Sequence, residues 1–200
     1  MEPLLFLCHR IPYPPDKGDK IRSFHLLREL VGRYAVHLGT FIDDPADAAH
    51  LPRLRELCAS VHAVPINPRW RALACATALW RGEALGLAWY RDRGLAAWVE
   101  AVRRKERPRR VLAFSSTMAQ YVAGEAWAGA RRVVDFVDVD SAKWAEYAAR
   151  KAWPWSLVYA REARRLQAFE AAVGGRFDAS VLVTPAEAAL FGERTGVAQG

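Results

Sequence analysis

Cysteine is scarce in this sequence, with three among 200 residues. They are Cys8, Cys58 and Cys75, and no two of them form a Cys-x-x-Cys pair. Structural zinc sites and small disulfide-stapled folds need paired or more numerous cysteines. The sequence therefore argues against both classes and predicts buried thiols in a reducing compartment.

Long hydrophobic runs are also missing. The apolar run at the amino terminus ends at His9 and has no basic residue before it. A signal peptide needs a basic start and a longer apolar stretch, and a membrane-spanning helix needs about 20 apolar residues. We therefore expect a cytoplasmic protein, with peripheral contact at the inner face of the membrane as an open alternative. No linker, repeat or low-complexity tract divides the chain, so a single domain over residues 1–200 is predicted.

Acidic residues are outnumbered, because 29 Lys and Arg stand against 22 Asp and Glu and give a net charge of +7. Such a surplus suits an anionic partner, but Arg spread along Ala-rich helices is also typical of a solvated basic surface. No RNA- or DNA-binding motif accompanies the charge, so no nucleic-acid partner is expected. A nucleic-acid- or membrane-binding module without catalysis is the alternative function.

Short apolar runs alternate with stretches of helical period along the chain. The first run, residues 3–8, is continuous, as in a strand buried on both faces of a parallel sheet. Because strands and helices keep alternating, we predict an α/β fold, a Rossmann-like doubly wound parallel sheet. The other predicted strands are 35–42, 61–66, 111–114, 132–137 and 179–183, and the predicted helices are 20–34, 46–59, 69–106 with two breaks, 117–127, 141–151, 156–173 and 185–194.

The loop after the first strand is the first candidate for ligand binding, because ligands of such sheets bind beyond the carboxyl ends of the strands. Gly18 can adopt a positive φ or let a ligand approach the backbone. Asp19 is the predicted N-cap of a helix whose amino terminus favours a phosphate, with Lys20 and Arg22 adding charge. A rigid loop with solvated charges is the alternative. A nicotinamide enzyme is disfavoured, because the loop lacks the G-x-G-x-x-G fingerprint.

Three acids at the end of the fifth predicted strand are the second candidate. If the chain stays extended, Asp135, Asp138 and Asp140 are predicted to project to one side, with the last two in the crevice. There they can orient an acceptor hydroxyl or transfer a proton. In the alternative, Asp135 pairs with an arginine, and Asp140 or Ser141 caps the next helix. Asp-x-Asp can also hold Mg²⁺, but the many crossovers argue against the transferases that use it so, and no metal site is predicted.

Histidine and tryptophan give weaker signals. His9 directly follows the first strand and is expected at the crevice, whereas His25 is interpreted as a packed side chain. The Trp-rich stretch 69–98, together with Trp153 and Trp155, is interpreted as core packing, with a membrane interface as the alternative.

Four segments of the chain resemble family 4 retaining glycosyltransferases of the GT-B type. The resemblance is closest to the sugar transferases associated with bacterial exopolysaccharide export systems of the PEP-CTERM/EpsH type. The segments follow the family's order along the whole chain. They are HRIPYPPDKGDKIRSFHLLREL (9–30), VHLGTFIDDPAD (36–47), VVDFVDVDSAKWAEYA (133–148) and RRLQAFEAAVGGRFDASVLVTPAEAALF (164–191).

The resemblance implies the N-terminal, acceptor-side domain of a two-domain hexosyltransferase. Such an enzyme moves a sugar from a nucleotide-sugar to an exopolysaccharide or lipid-linked acceptor, with no cofactor and no essential metal. Its own C-terminal, donor-binding domain is expected outside these residues, so this chain alone is expected to be inactive. The expected donor-phosphate loop is Gly18, Asp19, Lys20 and Arg22; the expected catalytic residue is Asp138; and the expected acceptor-binding residues are His9, Tyr13, Asp140, Ser141, Lys143 and Trp144.

Overall fold

A computed structural model describes residues 1–197 of the chain. Its six strands form one all-parallel sheet flanked by helices, which confirms the predicted α/β, Rossmann-like doubly wound fold. The strands lie in the order β3-β2-β1-β4-β5-β6. Their bounds are β1 Glu2–Cys8, β2 Tyr34–Ile42, β3 Ser60–Pro65, β4 Arg110–Phe114, β5 Arg131–Val137 and β6 Ala179–Leu182.

Eight α-helices connect and follow the strands within residues 1–197. None of them is long and apolar enough to cross a lipid bilayer. The helices are α1 Gly18–Val31, α2 Leu51–Leu57, α3 Pro68–Arg81, α4 Leu85–Trp89, α5 Arg93–Glu106, α6 Asp140–Arg150, α7 Trp155–Gly174 and α8 Pro185–Thr195, with 3-10 helices at Pro45–His50, Ser116–Tyr121 and Glu125–Trp127.

The central strand β1 separates two hydrophobic cores. Its side chains alternate between the faces of the sheet, as the period of two in a strand requires. Leu5 and Leu7 enter one core, and Leu4 and Phe6 enter the other. All four are at most 4% exposed, which explains why the sequence of β1 is apolar without interruption.

Gly39 of β2 marks a close contact between the sheet and α5. A Cβ at this position would lie 2.8 Å from the side chain of Leu7 and 3.0 Å from those of Leu95 and Trp98. The missing side chain therefore lets α5 pack directly against the sheet.

The predicted helix over residues 117–127 is wrong. The structure has two short 3-10 helices there, after a residue with positive φ, Ser115 (φ 83°). The hydroxyls of Ser115 and Thr117 hydrogen-bond each other at 3.0 Å. Gly124, which lies between the two short helices, disfavours a continuous helix.

The strand order reverses between β1 and β4. From β1 the chain winds outward to β2 and β3, and from β4 it winds the other way to β5 and β6. The loops that follow β1 and β4 therefore diverge at the carboxyl edge of the sheet and leave a crevice between them.

Candidate functional site

A cleft of about 430 Å³ lies at this carboxyl edge. His9 comes from the end of β1, Ser115 from the end of β4 and Asp140 from the start of α6. Helices α3, α4, α6 and α7 complete the wall. The lining residues are His9, Cys75, Leu85, Gly86, Trp89, Tyr90, Ser115, Thr117, Asp140, Trp144 and Leu166.

His9 is held by aromatic rings on two sides. Its imidazole ring stacks on Phe114 of β4, with 6.0 Å between the ring centroids. It is perpendicular to the ring of Tyr90, with 5.9 Å between the centroids. The Nε2 atom lies 3.4 Å from a carboxylate oxygen of Asp19, whereas the buried Nδ1 has no hydrogen-bond partner within residues 1–197. Nε2 is therefore the ring nitrogen that orients His9 toward Asp19, and Nδ1 is enclosed by the protein.

Asp19 belongs to a compact ionic network. Arg10 donates to Asp19 at 2.7 Å and forms an ion pair with Asp43 at the same distance. The hydrogen bond with His9 and the charge of Arg10 hold the pKa of Asp19 well below its usual range. Asp19 is therefore an anion that fixes its two neighbours.

The prediction that Asp19 caps the following helix is wrong. Helix α1 begins at Gly18, and the N-cap position is Lys17, which makes no side-chain capping bond. The carboxylate of Asp19 instead turns back toward Arg10 and His9.

The other predicted donor-phosphate residues differ in their availability to a ligand. Gly18 is exposed, a Cβ added there would meet no atom within 4 Å, and its φ is not positive. Lys20 is 1% exposed and forms ion pairs with Asp47 at 2.7 Å and Asp16 at 3.4 Å. The expectation that Lys20 offers charge to a phosphate is therefore wrong, because its ammonium is already neutralised inside the protein.

Arg22, the last residue of that group, is ion-paired with Asp135. Its guanidinium donates twice to Asp135, from Nε at 3.1 Å and from Nη2 at 2.8 Å. This pair links α1 to the end of β5 across the crevice. It corresponds to the alternative in which Asp135 pairs with an arginine.

The prediction that the three acids project to one side is wrong. Asp138 lies three positions after Asp135, so alternation already places them on opposite sides of an extended chain. The strand also ends at Val137, whose φ is 66°. After this turn, Asp138 is part-exposed and pairs with Lys143, whereas Asp140 faces the cleft. Asp138 and Lys143 are not among the residues that line the cleft.

Asp140 is the acid inside the cleft. The hydroxyl of Ser116 donates to its carboxylate at 2.8 Å. Burial raises the pKa of Asp140, and the Ser116 hydrogen bond only partly offsets this effect. Neither Asp140 nor Ser141 caps α6, because the N-cap position is Val139 and it makes no side-chain capping bond.

Ser141 and Tyr13 are placed differently from their predicted acceptor-binding roles. Ser141 is fully buried: its N–H donates to Glu170 at 3.0 Å, and its hydroxyl accepts from Arg194 at 3.2 Å. Tyr13 packs against Phe24 and is not among the cleft-lining residues. The expectation that an acceptor contacts Ser141 is therefore wrong, because its polar groups bond within the protein.

Trp144 and the α4 segment give the cleft its aromatic wall. Trp144 lies in the cleft as expected and meets Tyr159 edge-on at 5.1 Å. Trp89 and Tyr90 line the cleft as well, although the sequence did not single them out. Burial raises the pKa of Tyr90 to about 12, so its hydroxyl is a neutral donor.

The buried carboxylate of Glu162 fixes α4 beside α7. It accepts hydrogen bonds from the N–H groups of Leu85 at 2.7 Å and Gly86 at 2.8 Å. In the sequence, this segment follows the first of the two breaks in the predicted helix 69–106, near residues 82–86. The break indicates a turn, but it does not indicate that the residues after it line the cleft.

Residues 1–197 contain no group of three or more His, Cys, Asp and Glu side chains arranged to hold a metal ion.

Comparisons with known proteins give a distant structural likeness and no family. No protein-family model matches the chain, and no curated protein matches it. Among solved structures, the chain is similar to the N-terminal domain of a Candida albicans trehalose-6-phosphate phosphatase, with 14% identity and a TM-score of 0.43. The alignment covers 84% of this chain and 38% of that chain. A likeness this distant says nothing about activity.

Proposed function

We propose that this chain is the acceptor-side domain of a retaining glycosyltransferase that takes a nucleotide-sugar as donor and a glycan or lipid-linked glycan as acceptor. The observation that carries the proposal is the cleft at the strand-order reversal. It combines a half-buried acid and a histidine with an aromatic wall. Sugar acceptors present hydroxyls and apolar ring faces together, and pockets of mixed aromatic and polar lining suit such ligands.

Asp140 and His9 are the groups that would handle the acceptor hydroxyl. Both line the cleft, and Asp140 offers a carboxylate oxygen as hydrogen-bond acceptor. Asp19 positions the His9 ring beside it through Nε2. A hydroxyl that donates to Asp140 gains nucleophilicity at the sugar carbon.

Trp89, Tyr90 and Trp144 would bind the body of the acceptor. Their rings border the same cleft, and flat aromatic surfaces contact the apolar faces of sugar rings at little cost in conformational entropy. The Tyr90 hydroxyl, neutral at physiological pH, can donate to a sugar oxygen.

The donor diphosphate would approach from the side of α1. Gly18 leaves open space at the first turn of this helix, and helix amino termini bind phosphate through free N–H groups. By resemblance to family 4 enzymes, a second domain supplies most of the donor contacts. Lys20 has no part in this role, because its ammonium is buried in an ion pair with Asp47.

The test is nucleotide release from a panel of UDP- and GDP-sugars by the full product of the gene that encodes this chain. We expect turnover that His9→Ala lowers at least about tenfold and His25→Ala leaves unchanged. His25 is a matched control because it is exposed on α1 and does not line the cleft. Absence of turnover with every donor, or equal effects of the two variants, would refute the proposal.

A further inference from the structure

Half of the eight tryptophans lie on the surface. Trp80 is 93% exposed, Trp153 77%, Trp70 69% and Trp155 59%. The interpretation of these four as core residues is wrong. A side chain as large and apolar as Trp is costly to expose to water, so a cluster of them indicates a binding surface.

Two of these tryptophans share one face of α3. Trp70, Leu73 and Trp80 are three and seven residues apart, which places them on one side of a helix. All three are exposed, and Leu73 is 56% exposed. The opposite side of α3 carries buried Ala78, so the helix is anchored by one face and presents the other.

The start of α7 extends this apolar face. Arg161 of α7 donates to the carbonyl oxygens of Ala78 at 3.2 Å and Glu83 at 2.9 Å, which fixes α7 against the carboxyl end of α3. Leu157 lies one turn before Arg161 on α7 and is 62% exposed. Leu157, on the same side of α7 as Arg161, therefore lies beside the end of α3 that carries Trp80. We name the area formed by Trp70, Leu73, Trp80 and Leu157 the tryptophan surface. Trp153 and Trp155 are exposed on the segment that leads into α7.

The charges around the tryptophan surface are basic. Helix α3 and residues 150–157 contain no acidic residue. Arg69 and Lys151 are exposed and form no ion pair within residues 1–197. Arg81 and Arg150 lie 3.5 Å from Glu83 and Glu146, so they are only partly neutralised.

We propose that the tryptophan surface binds peripherally to an anionic lipid bilayer. Tryptophan favours the boundary between lipid headgroups and acyl chains, and neighbouring arginine and lysine side chains bind anionic headgroups. No α-helix of residues 1–197 could cross the bilayer, so contact is limited to its surface. The combination of exposed indoles and unpaired cations favours a membrane over an acidic protein, because indole rings prefer the boundary between lipid and water.

This placement brings the cleft close to the membrane. Cys75 lines the cleft from α3, so this helix lies between the cleft and the proposed bilayer contact. The membrane proposal does not depend on the proposed glycosyl transfer, since it concerns binding alone. If both hold, the acceptor is a lipid-linked glycan.

The test is flotation of the 200-residue chain with vesicles of phosphatidylcholine alone and with about 30 mol% phosphatidylglycerol, at low and at high salt. We expect flotation with the anionic vesicles, weakened by salt. Trp70→Ala combined with Trp80→Ala should lower the bound fraction at least about tenfold. Alanine favours helix and both side chains are exposed, so a circular dichroism melt should be unchanged.

A charge-matched pair of double variants provides the control. Arg69→Glu with Arg81→Glu changes two exposed positions of α3 at the tryptophan surface, whereas Arg33→Glu with Arg109→Glu changes the net charge equally at exposed positions elsewhere. We expect about tenfold or more weakening from the first pair only. No flotation, or equal loss from both pairs, would overturn the proposal. Self-association abolished by Trp70→Ala and Trp80→Ala, without lipid binding, would also overturn it by assigning the surface to a second copy of the chain.

Discussion

The segments that follow β1 and β5 at the carboxyl edge of the sheet both contain several charged residues. The partners of these charged side chains differ between the two segments. After β1, Arg10 is bound by Asp19 and Asp43, and Lys20 is buried on Asp47. After β5, Asp140 is half-buried in the cleft, and its carboxylate accepts a hydrogen bond from a neutral hydroxyl, that of Ser116.

This difference shows why a count of charged residues does not locate a site. The charges after β1 neutralise one another and fix the loop, so they stabilise the fold. Asp140 keeps a raised pKa, which indicates that its carboxylate is poorly stabilised in the absence of a ligand. Carboxylates of this kind are candidates for ligand binding or catalysis, because a bound ligand can supply the stabilising contacts that the protein does not.

The largest expected effect tests the buried pair after β1. Lys20→Ala leaves Asp47 without its buried cation, and we expect the free energy of unfolding to fall by about 3 kcal/mol. Urea denaturation monitored by circular dichroism measures it. Arg53→Ala is the control, because its ion pair with Glu56 is exposed and should contribute less than about 1 kcal/mol. Equal effects of the two variants would remove the distinction between buried and surface pairs.

A smaller effect is expected from Asp19→Asn. The pKa of Asp19 is lowered in the folded state, so its carboxylate stabilises the fold above the unfolded pKa, and this contribution is lost as the pH falls through the folded value. At neutral pH we expect a loss of about 1–2 kcal/mol, since the group is partly exposed. The same substitution should cost less near pH ~3, as read from melts at both pH values. A loss that grows toward low pH would contradict the ionic role.

The smallest effect has the opposite sign. The pKa of Asp140 is raised in the folded state, so its charged form destabilises the fold above that pKa, and the penalty disappears as the pH falls below the unfolded value. Asp140→Asn should therefore raise the melting temperature slightly above that of the unsubstituted protein at neutral pH. In acid the two melting temperatures should be equal. A lowered melting temperature at neutral pH would mean that Asp140 is a structural acid like Asp19.

The sheet was predictable because its signals are local. A continuous apolar run identified β1, since a strand buried on both faces requires one, and shorter or interrupted apolar runs identified the other strands to within one residue at each end. The predicted helix over 117–127 failed where Gly124 separates two short 3-10 helices.

The candidate site was only partly predictable. The rule that ligands bind at strand ends correctly directed attention to His9 and Asp140, which line the cleft. The positions of Lys20 and Ser141 were not predictable, because their partners Asp47 and Glu170 lie 27 and 29 residues away along the chain. Sequence spacing does not tell which side of a helix meets such a partner.

Comparing Asp140→Asn with Asp138→Asn in the full gene product tests the proposed reaction site most directly. The family resemblance implies catalysis at Asp138, whereas the cleft geometry favours Asp140. Nucleotide release from the preferred sugar donor should fall about 100-fold in Asp140→Asn and less than about threefold in Asp138→Asn. Both proteins should remain folded. Full activity in Asp140→Asn would contradict the assignment of the reaction to this cleft.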